Sequence, residues 1–178
     1  QKNQHDKDNY APLITLSKTF SQNGASLETQ TRQMMDMDEW LRAYALLTLC
    51  GVNDTYSFWL QHNMMFYFRP SDHKAVYFMW DDDFTFARSA TDAIVGDQSL
   101  GKIINLPSNR RGLYGQFLDL FATHYNTNYM AYWLAHYGPF SATSYTPRLS
   151  YIQQRTDYIK SVIAGAGGNT PFSLSATN

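Results

Sequence analysis

A length of 178 residues suits one globular domain, and a content of 44% hydrophobic and 16% aromatic residues excludes a disordered chain. The formal net charge is −1 and Lys/Arg runs are absent, which excludes the clustered cations that nucleic-acid binding requires. No stretch reaches the roughly 18 consecutive apolar residues of a membrane span, and a single cysteine, Cys50, excludes an internal disulfide.

Two helices are predicted in the first part of the chain. Residues 13–20 carry apolar side chains at helical spacing, and Asn23-Gly24 is typical of a helix end. Acidic residues precede a second apolar run at 40–49, where they favour a helix through its dipole. This second helix should be buried, and Gly51 suits the left-handed residue that ends it.

A β-hairpin is predicted next. Residues 64–68 and 75–80 are aromatic-rich runs of strand length, and the segment 69–74 between them is typical of a turn. Alternate residues of a strand face a core, so most of these aromatic side chains are assigned to packing rather than to ligand binding.

Helices are predicted to complete the chain. A stretch of mixed polarity from Phe86 to about Pro107 has no clear period and is interpreted as a functional or partly mobile loop. Helical patterns follow at residues 113–125, 129–137 and 147–163. The sequence therefore predicts an α+β fold that is mostly helical, with one small antiparallel hairpin.

Carboxylate and amide residues around the hairpin carry the clearest chemical signal. Asn53-Asp54 follow the long helix, His62-Asn63 precede the first strand, and Asp81-Asp82-Asp83 follow the second. Three adjacent aspartates repel one another, so they need a cation, hydrogen-bond donors or exposure to water. Mg²⁺ binds one or two carboxylates together with substrate phosphates, which favours phosphoryl transfer, whereas a solvated acidic turn is the alternative interpretation.

The order of these residues follows that of protein kinases. There, a long helix leads to a catalytic Asp and a metal-binding Asn, and a short hairpin then leads to a second metal-binding Asp. In this chain Asp54 stands at the first position, Asn63 at the second, and Asp81 or Asp83 at the third. The His-Arg-Asp motif of ordinary protein kinases is absent.

The same residues resemble the CotH kinase family of atypical protein kinases. Gly51-Val52-Asn53-Asp54, His62-Asn63, the aromatic hairpin and Trp80-Asp81-Asp82-Asp83 are similar to its pattern of helix, Gly-Asn-x-Asp, His-Asn, hairpin and Trp-Asp-x-Asp. The resemblance covers about residues 10–160 and is densest from 36 to 86. It implies an α+β fold like the C-terminal lobe of a kinase, with the hairpin at the metal site.

The resemblance also implies an activity and roles for individual residues. The chain would belong to a Ser/Thr kinase, secreted or exposed on a cell or spore surface, that uses ATP and Mg²⁺ or Mn²⁺ to phosphorylate proteins, as on the spore coat. Asp54 and Asp81 would be catalytic, with Asp81 as principal metal ligand and Asp83 as its support. Asn63 would contact the metal and the nucleotide, and His62 is assigned to the cofactor-binding residues beside it.

The family pattern further predicts the domain organisation. Residues 1–164 would form the catalytic lobe, and the Gly-, Ser- and Thr-rich segment 165–178 a linker toward a further module. The family's nucleotide-binding half, with its phosphate-holding Lys, does not fit before residue 36. The chain by itself is therefore expected to be inactive.

Two other functions are compatible with the sequence. Ala87 stands where a glycine is expected after Phe86, which, together with the aromatic residues and the linker-like tail, fits a catalytically inactive binding or adhesion module on the same fold. Alternatively, the aspartates hold a structural Ca²⁺ ion, in which case a chelator would lower the melting temperature and nucleotide would have no effect.

Overall fold

A computed structural model describes residues 9–55, 58, 62–96, 98–141 and 144–167. Within these residues the fold is α+β and mostly helical, as predicted, and none of the helices is long and apolar enough to cross a membrane. The elements are α1 (Ala11–Ser21), α2 (Gly24–Met34), α3 (Met37–Leu49), β1 (Met64–Phe68), β2 (Ala75–Met79), α4 (Gln98–Ile104), α5 (Pro107–Thr123), α6 (Thr127–Tyr137), a 3-10 helix (Gly138–Phe140) and α7 (Pro147–Ala164).

Helix α3 lies at the centre of the fold. It packs against α5, α7 and β2, and eight of its residues are buried, among them Leu41, Leu47 and Leu49. A helix covered on several sides needs more than one apolar stripe, which is why its sequence is almost continuously apolar from residue 43 to 49. Asp38 and Glu39 in its first turn face the positive end of the helix dipole.

The hairpin is anchored to the beginning of α3. The indole nitrogen of Trp40 and the backbone N–H of Asp36 both donate to the carbonyl of Ala75, at 2.8 and 3.0 Å. The backbone N–H of Tyr77 donates to Oε2 of Glu39 at 2.7 Å. The edge of β2 is therefore satisfied by the helix, and the hairpin is held in one orientation against it.

The register of the hairpin decides which chain segments meet at its open end. Met64 pairs with Met79 and Phe68 with Ala75, which leaves residues 69–74 as the predicted turn. In an antiparallel pair, the residues before the first strand lie beside those after the second. Asn63 and Asp81 are therefore brought to the same end of the hairpin.

The structure corrects two of the sequence-based predictions. Asn23-Gly24 does not end a helix, because α1 ends at Ser21 and Gly24, with a φ of +55°, is the first residue of α2. Helix α2 is missed because it buries only Leu27 and Thr31 and has little apolar pattern. Helix α4 lies in the stretch interpreted as a loop, since seven residues are too few to show a period.

The aromatic side chains are less completely buried than predicted. On the hairpin Tyr77 is buried, but Tyr67 and Phe78 are 51% and 50% exposed, because one face of the two-stranded sheet is uncovered. Helix α6 buries none of its residues. Its Trp133 and Tyr137 rings stack on each other with centroids 5.6 Å apart, and Tyr137 is 59% exposed.

Gly51 fixes the end of α3 and the beginning of the next loop. Its φ is +58°, its N–H donates to the carbonyl of Thr48, and the N–H of Val52 donates to that of Leu47. This pair of bonds defines a Schellman motif, so the prediction of a left-handed glycine is confirmed. A β-carbon here would also overlap the hydroxyl oxygen of Tyr151.

Gly51→Ala is expected to lower the free energy of unfolding by more than about 1 kcal/mol, because alanine is strained at positive φ and Tyr151 must move. Gly115→Ala is the matched control, since a β-carbon at Gly115 inside α5 meets no atom within 4 Å. That change should be neutral or stabilise by up to about 1 kcal/mol. Urea denaturation measures both, and equal midpoints for the two variants would contradict the argument.

Candidate active site

Asn63 joins the three segments that carry the predicted site residues. Its side-chain nitrogen donates to Oδ2 of Asp54 at 2.9 Å, to the carbonyl of Asp54 at 3.0 Å and to the carbonyl of Asp81 at 3.4 Å. The loop after α3 and the loop after β2 are thus tied to the residue that precedes β1. In this geometry the amide of Asn63 bridges the two aspartates, and its role as a metal or nucleotide contact stays a prediction.

Left-handed backbone is concentrated around this site. Asn63, Asp81 and Phe86 have φ values of 53°, 59° and 63°, and His73 in the hairpin turn is the only other described non-glycine residue with positive φ. Asn and Asp tolerate this conformation, whereas for Phe it costs about 1–2 kcal/mol. Backbone strain of this kind accumulates at functional sites, where the surrounding structure imposes it.

The absence of a glycine at position 87 does not disturb the loop. The left-handed residue is Phe86, and Ala87 is not among the described residues with positive φ. Phe86 is held by its N–H, which donates to the carbonyl of Cys50 at 2.6 Å, and by edge-on packing of its ring against Tyr151. Alanine is therefore compatible with this geometry.

The carboxyl group of Asp54 is only half satisfied. Oδ2 accepts the hydrogen bond from Asn63, whereas Oδ1 is buried and has no hydrogen-bond partner among the described residues. A buried polar atom left without a partner costs about 1–3 kcal/mol. Such exceptions are rare in folded proteins and indicate a bound ion, water or ligand.

Asp82 is the site residue that the sequence reasoning missed. Partial burial, followed by the negative charges of Asp54 and Asp81, raises the pKa of its carboxyl group. The Trp-Asp-x-Asp pattern favours Asp81 and Asp83, and an extended chain would also place those two on one side. The left-handed turn at Asp81 breaks this alternation, and the run of three aspartates contains no signal that reveals it.

Asp83 and His62 have no contact of their own with the other site residues. Both are exposed, as are Asp81 and Asp82, and between the described residues no hydrogen bond or ion pair joins either of them to Asp54, Asn63 or Asp81. Their assignments as metal support and cofactor-binding residue stay predictions. The structure brings Asp54, Asn63 and Asp81 together and leaves these two outside the contacts among them.

Cys50 lies close to the site but has no reactive thiol. Burial, and secondarily the charge of Asp82, raises the pKa of Cys50 to about 12. A thiol with such a pKa carries almost no thiolate at neutral pH and is a poor nucleophile. The interpretation of Cys50 as a packing residue is in agreement with this environment.

The carboxylates of the site differ in how well they suit different divalent cations. In the part of the chain that the structure describes, no three His, Cys, Asp or Glu side chains are close enough to hold a metal ion by themselves. A Ca²⁺ cage needs six to eight oxygen ligands, whereas Mg²⁺ is usually held by one or two carboxylates, water and substrate phosphates. The two carboxylates of Asp81 and Asp82, which lie close enough to interact, fit the second kind of site.

Asp82→Asn is expected to stabilise the metal-free protein near neutral pH. The folded-state pKa of Asp82 lies above its unfolded value of about 3.9, so the folded chain holds this proton more tightly. Stability is therefore lost as the pH rises from the unfolded toward the folded pKa. The substitution removes this loss, so its advantage should be present at pH 7 and vanish below about pH 3.9.

Urea unfolding in the presence of a chelator measures this effect for the wild-type chain and the variant, at pH values below and above the range in which Asp82 titrates. A gain of the same size at acid and neutral pH would show that the carboxylate charge of Asp82 is not its cause.

Comparison with known proteins identifies the family of the chain. No curated protein and no solved structure matches the chain significantly. The model of the CotH kinase protein family matches residues 1–162. This range includes the end of α3, the hairpin, the loop after β2 that carries Asp81, Asp82 and Asp83 (the aspartate loop), and most of α7. The resemblance found in the sequence is thereby confirmed, and the chain belongs to the CotH kinase family.

Proposed function

We propose that this chain supplies the catalytic lobe of a metal-dependent phosphotransferase that moves the γ-phosphate of ATP to Ser or Thr hydroxyls of proteins. The observation that carries the proposal is the carboxyl group of Asp54, with one oxygen fixed by Asn63 and the other buried and unpaired. A general base requires this arrangement, because one oxygen must be oriented and the other free to accept.

Asp54 would act on the substrate hydroxyl. Its Oδ1 would accept a hydrogen bond from the Ser or Thr hydroxyl and take that proton as the bond between the hydroxyl oxygen and phosphorus forms. The bond from phosphorus to the β,γ-bridging oxygen breaks, and ADP leaves with that electron pair. Asn63 would hold Asp54 in position throughout, since it binds both the carboxyl and the carbonyl of that residue.

Asp81 and Asp82 would provide the metal-binding carboxylates, with Asp83 in support. Bound Mg²⁺ or Mn²⁺ would neutralise the charge of the β- and γ-phosphates. Burial and, after it, the charges of Asp54 and Asp81 raise the pKa of Asp82, and a bound cation would favour its charged form. Asn63 and His62 are the residues we propose beside the nucleotide.

The proposals for substrate and location rest on the family resemblance alone. We propose proteins of a cell or spore surface as substrates, with the enzyme itself secreted or surface-associated. Nucleic acid is not proposed as a partner, since the net charge of −1 offers no excess of cations for a phosphate backbone. The linker-like segment 165–178 lies largely outside the described residues, and a module beyond it stays a prediction.

Asp81→Ala is expected to lower the rate of phosphate transfer by about 100-fold or more, because the charge that holds the metal and its phosphates is lost. The measurement is transfer of ³²P from γ-labelled ATP to a Ser/Thr peptide mixture, with Mg²⁺ or Mn²⁺, by the natural full chain. Asp157→Ala is the matched control, an exposed aspartate on α7 whose carboxylate is bonded to Gln153, and it should leave the rate unchanged.

Equal rates for the two variants would contradict the proposal. Transfer that persists at full rate in excess chelator would contradict its metal dependence. A chelator that lowers the melting temperature, with no transfer and no effect of ATP, would instead identify a structural Ca²⁺ site.

A binding module is the second candidate, favoured by the surface of α6. Tyr132 and Phe140 are 65% and 84% exposed, and large uncovered rings of this kind mark interaction surfaces. Residues 120–147 include no Asp, Glu, Lys or Arg. Wild-type protein that binds neither ATP nor Mn²⁺ in calorimetry would favour this candidate over the kinase.

A further inference from the structure

We infer that Tyr125 and Arg155 are positioning residues of the candidate site, acting through the carbonyl groups at the end of α3. This inference rests on the proposed function for its consequence in catalysis, and on the hydrogen bonds alone for its structural part. Both residues are more than 70 positions away in sequence from the α3 carbonyls that they contact.

The last carbonyl groups of a helix have no partner within the helix and must find one elsewhere. In α3 and the two residues after it, the carbonyls of residues 46–51 all accept a hydrogen bond. Backbone N–H groups of residues 50–52 take up three of them, those of Leu46, Leu47 and Thr48. Side chains donate to the carbonyl of Leu49 and provide a second hydrogen bond to the carbonyl of Thr48.

Tyr125 supplies the first of these side-chain donors. Its hydroxyl donates to the carbonyl of Leu49 at 2.5 Å, and the residue is only 4% exposed. Tyr125 follows the end of α5, and its ring packs against Phe121 of that helix. The position of the hydroxyl is therefore set by the helical core and not by the site.

Arg155 supplies the second. It is fully buried on α7, and its Nε donates to the carbonyl of Thr48 at 3.2 Å. Its Nη1 donates to the carbonyl of Ala90 at 3.1 Å and to that of Asp92. A cation at a helix C-terminus is favoured by the helix dipole, which helps to offset the cost of burying the guanidinium.

The same helix end is also hydrogen-bonded to the residues that follow the aspartate loop. The carbonyl of Cys50 accepts from the N–H of Phe86 at 2.6 Å, and that of Gly51 accepts from the N–H of Arg88 at 3.2 Å. Asp54 lies only three residues beyond Gly51, and Phe86 three residues beyond Asp83. A displacement of this helix end would thus move Asp54 and the aspartate loop relative to each other.

Arg155 binds both partners of this junction. Thr48 belongs to α3, whereas Ala90 and Asp92 belong to the segment that continues from the aspartate loop. One rigid guanidinium therefore fixes the distance between the two segments, which Lys, with a single flexible ammonium, would not do. Positioning of this kind matters because a displacement of about 1 Å at reacting groups costs up to about 100-fold in rate.

Tyr125→Phe tests the inference with little risk to folding, since it removes one hydroxyl and keeps the ring. Tyr114→Phe is the matched control: Tyr114 on α5 is as deeply buried, at 2% exposure, and its hydroxyl accepts a hydrogen bond from Arg110 on the same helix rather than from the end of α3 or the segment after the aspartates. Arg155→Lys is the second variant, which keeps the charge and loses the forked set of donors.

The first readout is amide hydrogen exchange of Phe86 and Arg88 in the metal-free full chain. Exchange should become about five- to tenfold faster in Tyr125→Phe, as expected for the loss of one hydrogen bond that supports the junction, and should be unchanged in Tyr114→Phe. The second readout is phosphate transfer, where kcat should fall about tenfold with the KM for ATP within about twofold, because positioning rather than ground-state binding is lost.

The outcomes separate this inference from the proposed function. Equal exchange at Phe86 and Arg88 in Tyr125→Phe and Tyr114→Phe, or equal kcat where both are active, would overturn the positioning role. Wild-type protein without metal-dependent transfer would overturn the proposed function, while faster exchange in Tyr125→Phe and Arg155→Lys would still establish the structural junction.

Discussion

Backbone carbonyl groups at the end of α3 set the geometry on which the candidate site depends. A helix end must pass its unpaired carbonyls to other donors, and here the donors come from the loop of the aspartates and from the helical core. Because Cys50 and Gly51 bond to Phe86 and Arg88, the two loops that carry acidic side chains are held against each other before any ligand binds. The hydrogen bonds at the end of α3 thus build the site. Asn63, directly before β1, provides a second link to the aspartate loop through its hydrogen bond to Asp81.

This arrangement leaves negative charge without compensation at one place. Asp54 has an unpaired buried oxygen, and the pKa of Asp82 is raised in part by its acidic neighbours. The nearest buried cations, Arg88 and Arg155, are engaged with backbone carbonyls and with Asp92 rather than with these carboxylates. Among the described residues, Asp54, Asp81 and Asp82 therefore form no ion pair with a cationic side chain.

Local sequence signals predicted the elements that carry the site, and tertiary contacts decided the rest. The long apolar helix, the left-handed Gly51 and the hairpin have strong patterns, and each was found where predicted. Helices α2 and α4 lack such patterns, since one is polar and the other short. Within the site, residue order indicated Asp54, Asn63 and Asp81. The part played by Asp82 depends on one backbone dihedral. That of Arg155 depends on contacts more than 60 positions away in sequence, which a local pattern does not encode.

The hairpin has a consequence for tolerance to insertions. Its five paired residues on each strand separate the turn at 69–74 from the site by roughly 17 Å, at about 3.4 Å per residue. Length changes at the tip should thus be neutral for chemistry, which makes the exposed Ser71 a natural place for a reporter peptide or a family-specific extension. One extra residue within either strand would instead invert which side chains face α3 and offset Asn63 from Asp81. The length of the hairpin can therefore vary at the turn, but not at the end that carries Asn63 and Asp81.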